Sequence, residues 1–90
     1  MMHVQYINFT SNFLKRWNAL SGETQHRSQK AIDLFRGNPF HPSLRLHRLK
    51  GKMRIYWSIS IDSKNRIVFR LDGETAFFTS IGSHAIYEKP

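Results

Sequence analysis

Two stretches in the first half of the chain carry apolar residues at the three- and four-residue spacing of an amphipathic helix. The first runs over about residues 11–20, with Thr10 or Ser11 as the expected N-cap. Its apolar positions are Phe13, Leu14, Trp17 and Leu20. The second runs over about residues 23–36, and its apolar positions are Ala31, Ile32, Leu34 and Phe35. Gly37 suits a C-cap there, so the sequence predicts two helices in tandem.

From Leu44 onward the apolar residues recur at every second position, which is typical of half-buried strands. The clearest strand covers residues 53–61, where one face is expected to carry Met53, Ile55, Trp57, Ile59 and Ile61. The turn sequence "DSKN" leads to a strand over residues 66–71, and "DG" leads to a last strand in "ETAFFTSIG". Both tryptophans, Trp17 and Trp57, fall on apolar faces and are expected in the core.

Two further strands have weaker patterns. Residues 44–49 alternate until Leu49, which falls on the wrong face and predicts a bend or bulge near Arg48. Residues 3–9 alternate loosely, with Val4, Tyr6 and Asn8 on one face. The predicted order is therefore strand, helix, helix and three or four strands.

This order predicts an α+β fold in a single domain over residues 1–90, in which a helical hairpin covers one face of an antiparallel sheet. The second face, away from the helices, is then expected to stay exposed. Alternation places these residues on it: Arg45, His47, Arg54, Tyr56, Ser58, Arg66 and Arg70. Cations with an aromatic among them suit an RNA backbone and its bases.

Charge supports a polyanionic partner. Fourteen Lys and Arg residues stand against six Asp and Glu residues, a formal net charge of +8, and "LRLHRLKGKMR" alone holds five of those cations. The absence of cysteine excludes a disulfide scaffold, and no apolar run approaches the roughly 20 residues of a membrane helix. A cytoplasmic protein with no membrane partner is expected.

The residue types also limit the chemistry. The histidines and carboxylates show no metal-ligand spacing, and no phosphate-binding loop surrounds Gly51, so neither metal nor cofactor is expected. RNA supplies its own nucleophile, the 2′-hydroxyl, so histidine and arginine suffice for its cleavage. His47 and His84 each keep two interpretations at this point, as catalytic groups or as ordinary solvated histidines.

Three segments, "NPFHPSLRLHRLKGKMRIYWSISI", "NRIVFRL" and "IGSHAIY", together resemble the RelE/ParE superfamily of toxins from type II toxin–antitoxin systems. The resemblance covers most of the chain and implies the RelE-like order β-α-α-β-β-β(-β). It is nearest to the YoeB-like and YafQ-like branch, metal-independent endoribonucleases that cut messenger RNA on the ribosome. It also implies a cognate antitoxin, which the charge predicts to be small and acidic.

The resemblance implies roles for individual residues. His84 matches the C-terminal histidine that acts as general acid, Arg66 matches the arginine that steadies the phosphate, and His47 falls where relatives carry a glutamate or histidine base. Tyr87 is expected to orient one of these groups. The expected RNA-binding cations are Arg45, Arg48, Lys50, Lys52, Arg54 and Arg70, of which Arg70 follows from strand alternation alone.

The chain departs from the pattern in two ways. His47 replaces the glutamate of YoeB-like members, and the second histidine and carboxylate of YafQ-like members have no counterpart around residues 58–62. ParE-like members share the fold but inhibit DNA gyrase. The sequence therefore leaves three alternatives: a messenger RNA endoribonuclease, a gyrase inhibitor without nuclease activity, and a catalytically decayed interaction module.

Overall fold

The computed structural model describes residues 2–87, except for the side chains of residues 84 and 85. The helices are α1 (Ser11–Asn18) and α2 (Gly22–Gly37). The strands are β1 (Tyr6–Phe9), β2 (His47–Arg48), β3 (Tyr56–Ser60), β4 (Arg66–Asp72) and β5 (Thr75–Gly82). Three 3₁₀ helices lie at Pro42–Leu44, Gly51–Met53 and His84–Tyr87. The α+β fold and the predicted element order are confirmed.

Both helices begin at the polar residues that local sequence favours. The Thr10 hydroxyl accepts a hydrogen bond from the backbone N–H of Phe13, and the Ser21 hydroxyl accepts one from the N–H of Thr24. Their apolar faces meet the sheet at an aromatic cluster. In it, the ring centroid of Phe35 lies 5.1 Å from that of Phe69 and 5.4 Å from that of Phe78. The prediction that Trp17 and Trp57 pack against the core is also confirmed.

The five strands form one sheet in the order β1-β5-β4-β3-β2. β2, β3, β4 and β5 pair antiparallel, whereas β1 pairs parallel with β5, which the sequence analysis did not anticipate. This pairing sets Ile7 opposite Ala76 and Phe9 opposite Phe78, so the apolar face of β1 carries Ile7 and Phe9. Grouping Tyr6 with Val4 was therefore wrong, since Tyr6 is 60% exposed.

Two predicted strands are shorter than their alternation indicated. The strand at residues 44–49 is reduced to β2 because Arg45 adopts a left-handed backbone with φ of 47°, which places the bend three residues earlier than predicted. The strand at 53–61 begins only at Tyr56, after the 3₁₀ helix Gly51–Met53, and leaves Ile55 56% exposed. Arg45 and Arg54 therefore lie outside the strands, and alternation does not assign them a face.

The second face of the sheet is partly covered, which corrects the expectation of an exposed surface. Ser58, Val68 and Ser80 lie on this face and are fully buried. Ile86, from the 3₁₀ helix His84–Tyr87, is 1% exposed and packs against Gly82 at the end of β5. The 3₁₀ helix His84–Tyr87 thus returns onto the second face, where Ile86 packs on Gly82 and the Tyr87 hydroxyl lies near Ser58.

A β-bulge decides which face the β5 side chains meet. Val68 pairs with Ser80 and the next residue, Phe69, pairs with Phe78, so Thr79 is the extra residue on β5. Because of this insertion Phe78 points into the core and Phe77 lies on the second face, beside Arg70.

Candidate active site

His47 on β2 and Arg66 on β4 both lie on the second face of the sheet, and β3 runs between their strands. His47 pairs with Ser58, and Arg66 pairs with Ser60, two residues further along the same strand. Paired residues share a face, so these four side chains are grouped at one end of the sheet. The structure therefore brings together two of the residues that the sequence analysis identified as catalytic.

The His47 ring contacts the backbone through one of its two nitrogens. Its Nδ1 atom lies 3.2 Å from the carbonyl oxygen of Arg45. A carbonyl oxygen only accepts, so Nδ1 carries the hydrogen in the neutral ring and Nε2 is left with a lone pair. Arg45, which supplies this carbonyl, has a left-handed backbone with φ of 47°. The exposed His47 thus presents a proton-accepting nitrogen to the second face.

Arg66 is a half-buried cation that forms no ion pair among the described residues. Its Nη1 atom is buried and makes no hydrogen bond there, and the three ion pairs of residues 2–87 all lie elsewhere. Two clefts meet at its side chain, one of about 350 Å³ and one of about 300 Å³. A buried donor left unpaired is costly, and the part of the guanidinium that borders the two clefts is where an anion would bind.

Tyr87 reaches the same area from the C-terminal segment. Its hydroxyl lies 3.4 Å from the Ser58 hydroxyl, and Tyr87 also lines the smaller cleft with Arg66. Tyr87 ends the 3₁₀ helix that begins at His84. The residue before His84, Ser83, lines the smaller cleft. The His84 side chain itself lies outside the described part of the structure.

The predicted RNA-binding cations are divided among three places. Arg45 lines the larger cleft together with Arg66, and Arg70 lies at the other end of the second face. The others are exposed residues of β2 and of the connection to β3: Arg48, Lys50, Lys52 and Arg54. Arg48 pairs with Trp57, and its guanidinium stands 5.8 Å over that ring, on the helix-covered side.

Asp62 forms the wall of the larger cleft and closes the turn between β3 and β4. Its carboxylate accepts hydrogen bonds from the backbone N–H groups of Lys64 and Asn65, at 2.8 and 2.7 Å. Burial by itself raises the pKa of Asp62, but these bonds, the Asn65 side chain and Arg27 outweigh it and leave the pKa below its ordinary value of 3.8. Asp62 therefore stays ionised and structural.

Neither a cluster of metal-ligating side chains nor a membrane-spanning helix occurs among the described residues. No three His, Asp or Glu side chains among them come together as ligands. No helix in this part of the chain combines the length and the apolar character needed to cross a bilayer.

Sequence reasoning missed Phe77, which joins Arg70 on the second face. The guanidinium carbon of Arg70 lies 4.3 Å from the centroid of the Phe77 ring. Simple alternation in "ETAFFTSIG" does not say which of the two adjacent phenylalanines faces the core, because the answer depends on the bulge at Thr79. The pair "FF" followed by small polar residues is the only local sign of this site.

Comparison with known proteins gives one family and several similar structures. The model of the ParE-like toxin domain family matches residues 23–89. YafQ from E. coli strain BL21(DE3) has a TM-score of 0.73 and 17% identity, over 92% of this chain and 98% of YafQ. The YoeB/ParE toxin from Agrobacterium tumefaciens has a TM-score of 0.71 and 21% identity, over 89% and 99%. No curated protein matches the chain significantly in sequence.

A third similar structure contains a partner. The heterotetrameric YoeB–YefM toxin–antitoxin complex from Staphylococcus aureus matches with a TM-score of 0.70 and 15% identity, over 91% of this chain and 98% of that one. At these identities the structural matches establish the fold, and the family match establishes the relationship.

Proposed function

Because this chain belongs to the ParE-like toxin domain family, it is a toxin of the toxin–antitoxin class, and we propose that it acts as a metal-independent, ribosome-dependent endoribonuclease on messenger RNA. Arg66 carries the proposal. It is a half-buried guanidinium with no carboxylate partner among the described residues, at the junction of two clefts. A purely structural arginine in that position would be expected to have an acidic partner.

The residues fit the cleavage of a phosphodiester by its own 2′-hydroxyl. Nε2 of His47 accepts the 2′-hydroxyl proton while the 2′-oxygen attacks phosphorus, and the bond from phosphorus to the 5′-oxygen breaks. Arg66 neutralises the charge that develops on the phosphoryl oxygens, for which its planar fork is suited. His84 donates a proton to the leaving 5′-oxygen, and the products are a 2′,3′-cyclic phosphate and a 5′-hydroxyl.

Tyr87 and the basic connection between β2 and β3 have supporting roles in this proposal. The Tyr87 hydroxyl lies near Ser58, the strand partner of His47, and orients the base or the acid. Lys50, Lys52 and Arg54 are exposed and attract the RNA backbone of the message or the ribosome. The cytoplasm, where ribosomes are, is the proposed location.

A cognate antitoxin is the second proposed partner. The net charge of +8 favours a small acidic protein that neutralises the second face. The YoeB toxin with a similar fold is found in a complex with YefM. An antitoxin that covers Arg66 would prevent cleavage by occupying the site.

The test is controlled induction in a bacterial host, followed by mapping of messenger RNA 5′-ends. We expect new ends within translated regions for the parent chain and none for Arg66→Ala or His84→Ala. His26→Ala, which changes an exposed histidine of α2, is the matched control and should cleave like the parent. Cleavage by Arg66→Ala at the parental level would refute the nuclease proposal.

The ParE-like description of the family model favours one alternative, inhibition of DNA gyrase without RNA cleavage. The same induction distinguishes the two activities. Intact messages together with a DNA-damage response would support the gyrase inhibitor, whereas intact messages with no growth arrest would indicate a decayed module.

A further inference from the structure

Four side chains form a row across four strands of the second face, at the end away from Arg66. We call them the cross-strand row: Tyr56 on β3, Arg70 on β4, Phe77 on β5 and Asn8 on β1. They are successive Cα partners in the sheet, Tyr56 with Arg70, Arg70 with Phe77 and Phe77 with Asn8. Their chain neighbours, such as Phe69, Ala76 and Phe78, are the residues that point into the core. The row therefore presents an aromatic ring, a guanidinium, a second ring and an amide in one line.

The centre of the row is a preformed stack. The Arg70 guanidinium carbon lies 4.3 Å from the Phe77 ring centroid, well within cation–π range. Both residues are half-buried, so each keeps part of its surface at solvent. No carboxylate forms an ion pair with Arg70 among residues 2–87. The aromatic contact fixes the guanidinium while its charge stays available to a ligand.

We propose that the cross-strand row is a stacking site for a nucleobase of single-stranded RNA, on the same sheet face as the cleavage site. Bases stack on aromatic rings and on arginine guanidinium planes, and here a guanidinium lies over one ring with Tyr56 as a second ring in the row. The exposed Asn8 adds an amide that both donates and accepts hydrogen bonds, as a base edge requires. The site thereby takes a base, and Arg70 takes the adjoining phosphate.

The spacing connects the row with the proposed function, on which this inference rests. Arg66 and Arg70 share the second face of β4 and are four residues apart, a distance of about 13 Å along a strand. A short single-stranded segment spans that distance with one phosphate at Arg66 and one base on the row. An acidic protein partner would be bound through the cations alone. The rings of Tyr56 and Phe77 favour RNA, because its bases stack on them.

The test is fluorescence anisotropy with a labelled 2′-O-methyl RNA hexamer, which cannot be cleaved because its nucleophile is blocked, and with a matched hexamer that lacks its bases. We expect the parent to prefer the base-bearing hexamer. Phe77→Ala should weaken that binding roughly 5- to 100-fold and weaken binding of the abasic hexamer much less, so the preference for bases is lost. Phe77→Leu, which keeps apolar bulk at this position, should lose affinity in the same direction.

Two further variants complete the design. Phe40→Leu changes an exposed aromatic residue outside the sheet and should bind both hexamers like the parent. Arg66→Ala should weaken both hexamers equally, because it contacts phosphate and not base. Equal binding of the two hexamers by the parent, or an unchanged preference in Phe77→Leu, would overturn the stacking site. If Arg66→Ala still abolished cleavage in that case, the nuclease proposal would stand without it.

Discussion

Ile86 lies directly on the backbone of Gly82. A Cβ atom added at Gly82 would come within 3.0 Å of the Ile86 Cγ2 atom, and Gly82 has φ of 151°, a conformation that L side chains rarely adopt. Ile86 is 1% exposed, so this contact anchors the 3₁₀ helix that begins at His84 and ends at Tyr87. The C-terminal segment is held on the sheet by packing, next to the clefts around Arg66.

This contact predicts that positions 82 and 86 are sensitive to substitution. Ile86→Ala removes a fully buried side chain and should lower the free energy of unfolding by about 2–5 kcal/mol. Gly82→Ala should also destabilise, because it combines backbone strain with a close contact. Urea unfolding measures both. Gly37→Ala is the control, since a Cβ there meets nothing within 4 Å. If Gly37→Ala lowered the free energy of unfolding as much as Gly82→Ala, the contact with Ile86 would not explain the effect.

The contact of His47 with the Arg45 carbonyl predicts that replacing this histidine slows cleavage strongly. Its Nδ1 atom is engaged with the Arg45 carbonyl oxygen, so Nε2 is the nitrogen that accepts a proton. His47→Gln keeps a polar side chain but removes the base, and should slow single-turnover cleavage on programmed ribosomes by about 10²- to 10⁴-fold. The free energy of unfolding should hardly change, because His47 is exposed. The control variant His26→Gln should cleave at the parental rate. If His47→Gln also cleaved at the parental rate, His47 would be excluded as the base.

Replacing Arg66 should affect cleavage activity and folding stability in opposite directions. Arg66→Met removes a half-buried, unneutralised charge and keeps the apolar length of the side chain, so the free energy of unfolding should stay equal or rise. Cleavage should fall by about 10²- to 10³-fold, the usual cost of losing one donor to the transition state. Thermal unfolding and 5′-end mapping on the same protein measure the two effects.

The matched control for Arg66 is Arg27, which pairs with Glu23 and Asp62. Arg27→Met removes those surface ion pairs, so it should not gain stability, and it should cleave normally. A marked loss of stability in Arg66→Met would mean that the arginine has a structural partner and would weaken its assignment to phosphate.

The lowered pKa of Asp62 predicts acid sensitivity. In the unfolded chain this carboxyl recovers its ordinary pKa of 3.8, so near that pH the unfolded state binds more protons than the folded state. The stabilisation is fully present above pH 3.8 and is lost as the pH falls through the folded pKa. Asp62→Asn should therefore reduce the slope of unfolding free energy against pH below about pH 4. An unchanged slope in urea unfolding at pH 2.5 to 5 would show that the turn does not depend on this charge.

Residue patterns near one another in the chain predicted most of the fold. The N-cap at Thr10, the two helices and the strands on either side of the "DG" turn follow from local periodicity and turn chemistry. The same patterns failed at Arg45 and Ile55, where a left-handed residue and a 3₁₀ helix interrupt the alternation. Periodicity reports the average environment of a segment and does not detect such local interruptions.

The candidate site was predicted in part. His47 and Arg66 were selected for their chemistry, and the strand register then brought them to one end of the second face. Phe77 was missed because its face is set by the bulge at Thr79, which arises from pairing with β4. The partial cover over the second face was also missed, since it depends on Ile86 finding the space above Gly82.

The sequence by itself determined the order of helices and strands and where the positive charge is concentrated, because these properties follow from neighbours in the chain. Only the tertiary structure decided that β1 runs parallel to β5, that Phe77 joins Arg70, and that the C-terminal segment returns onto the sheet. These outcomes depend on contacts between residues that are distant in the chain. Such contacts are selected by how well whole faces pack together, and local patterns do not encode that choice.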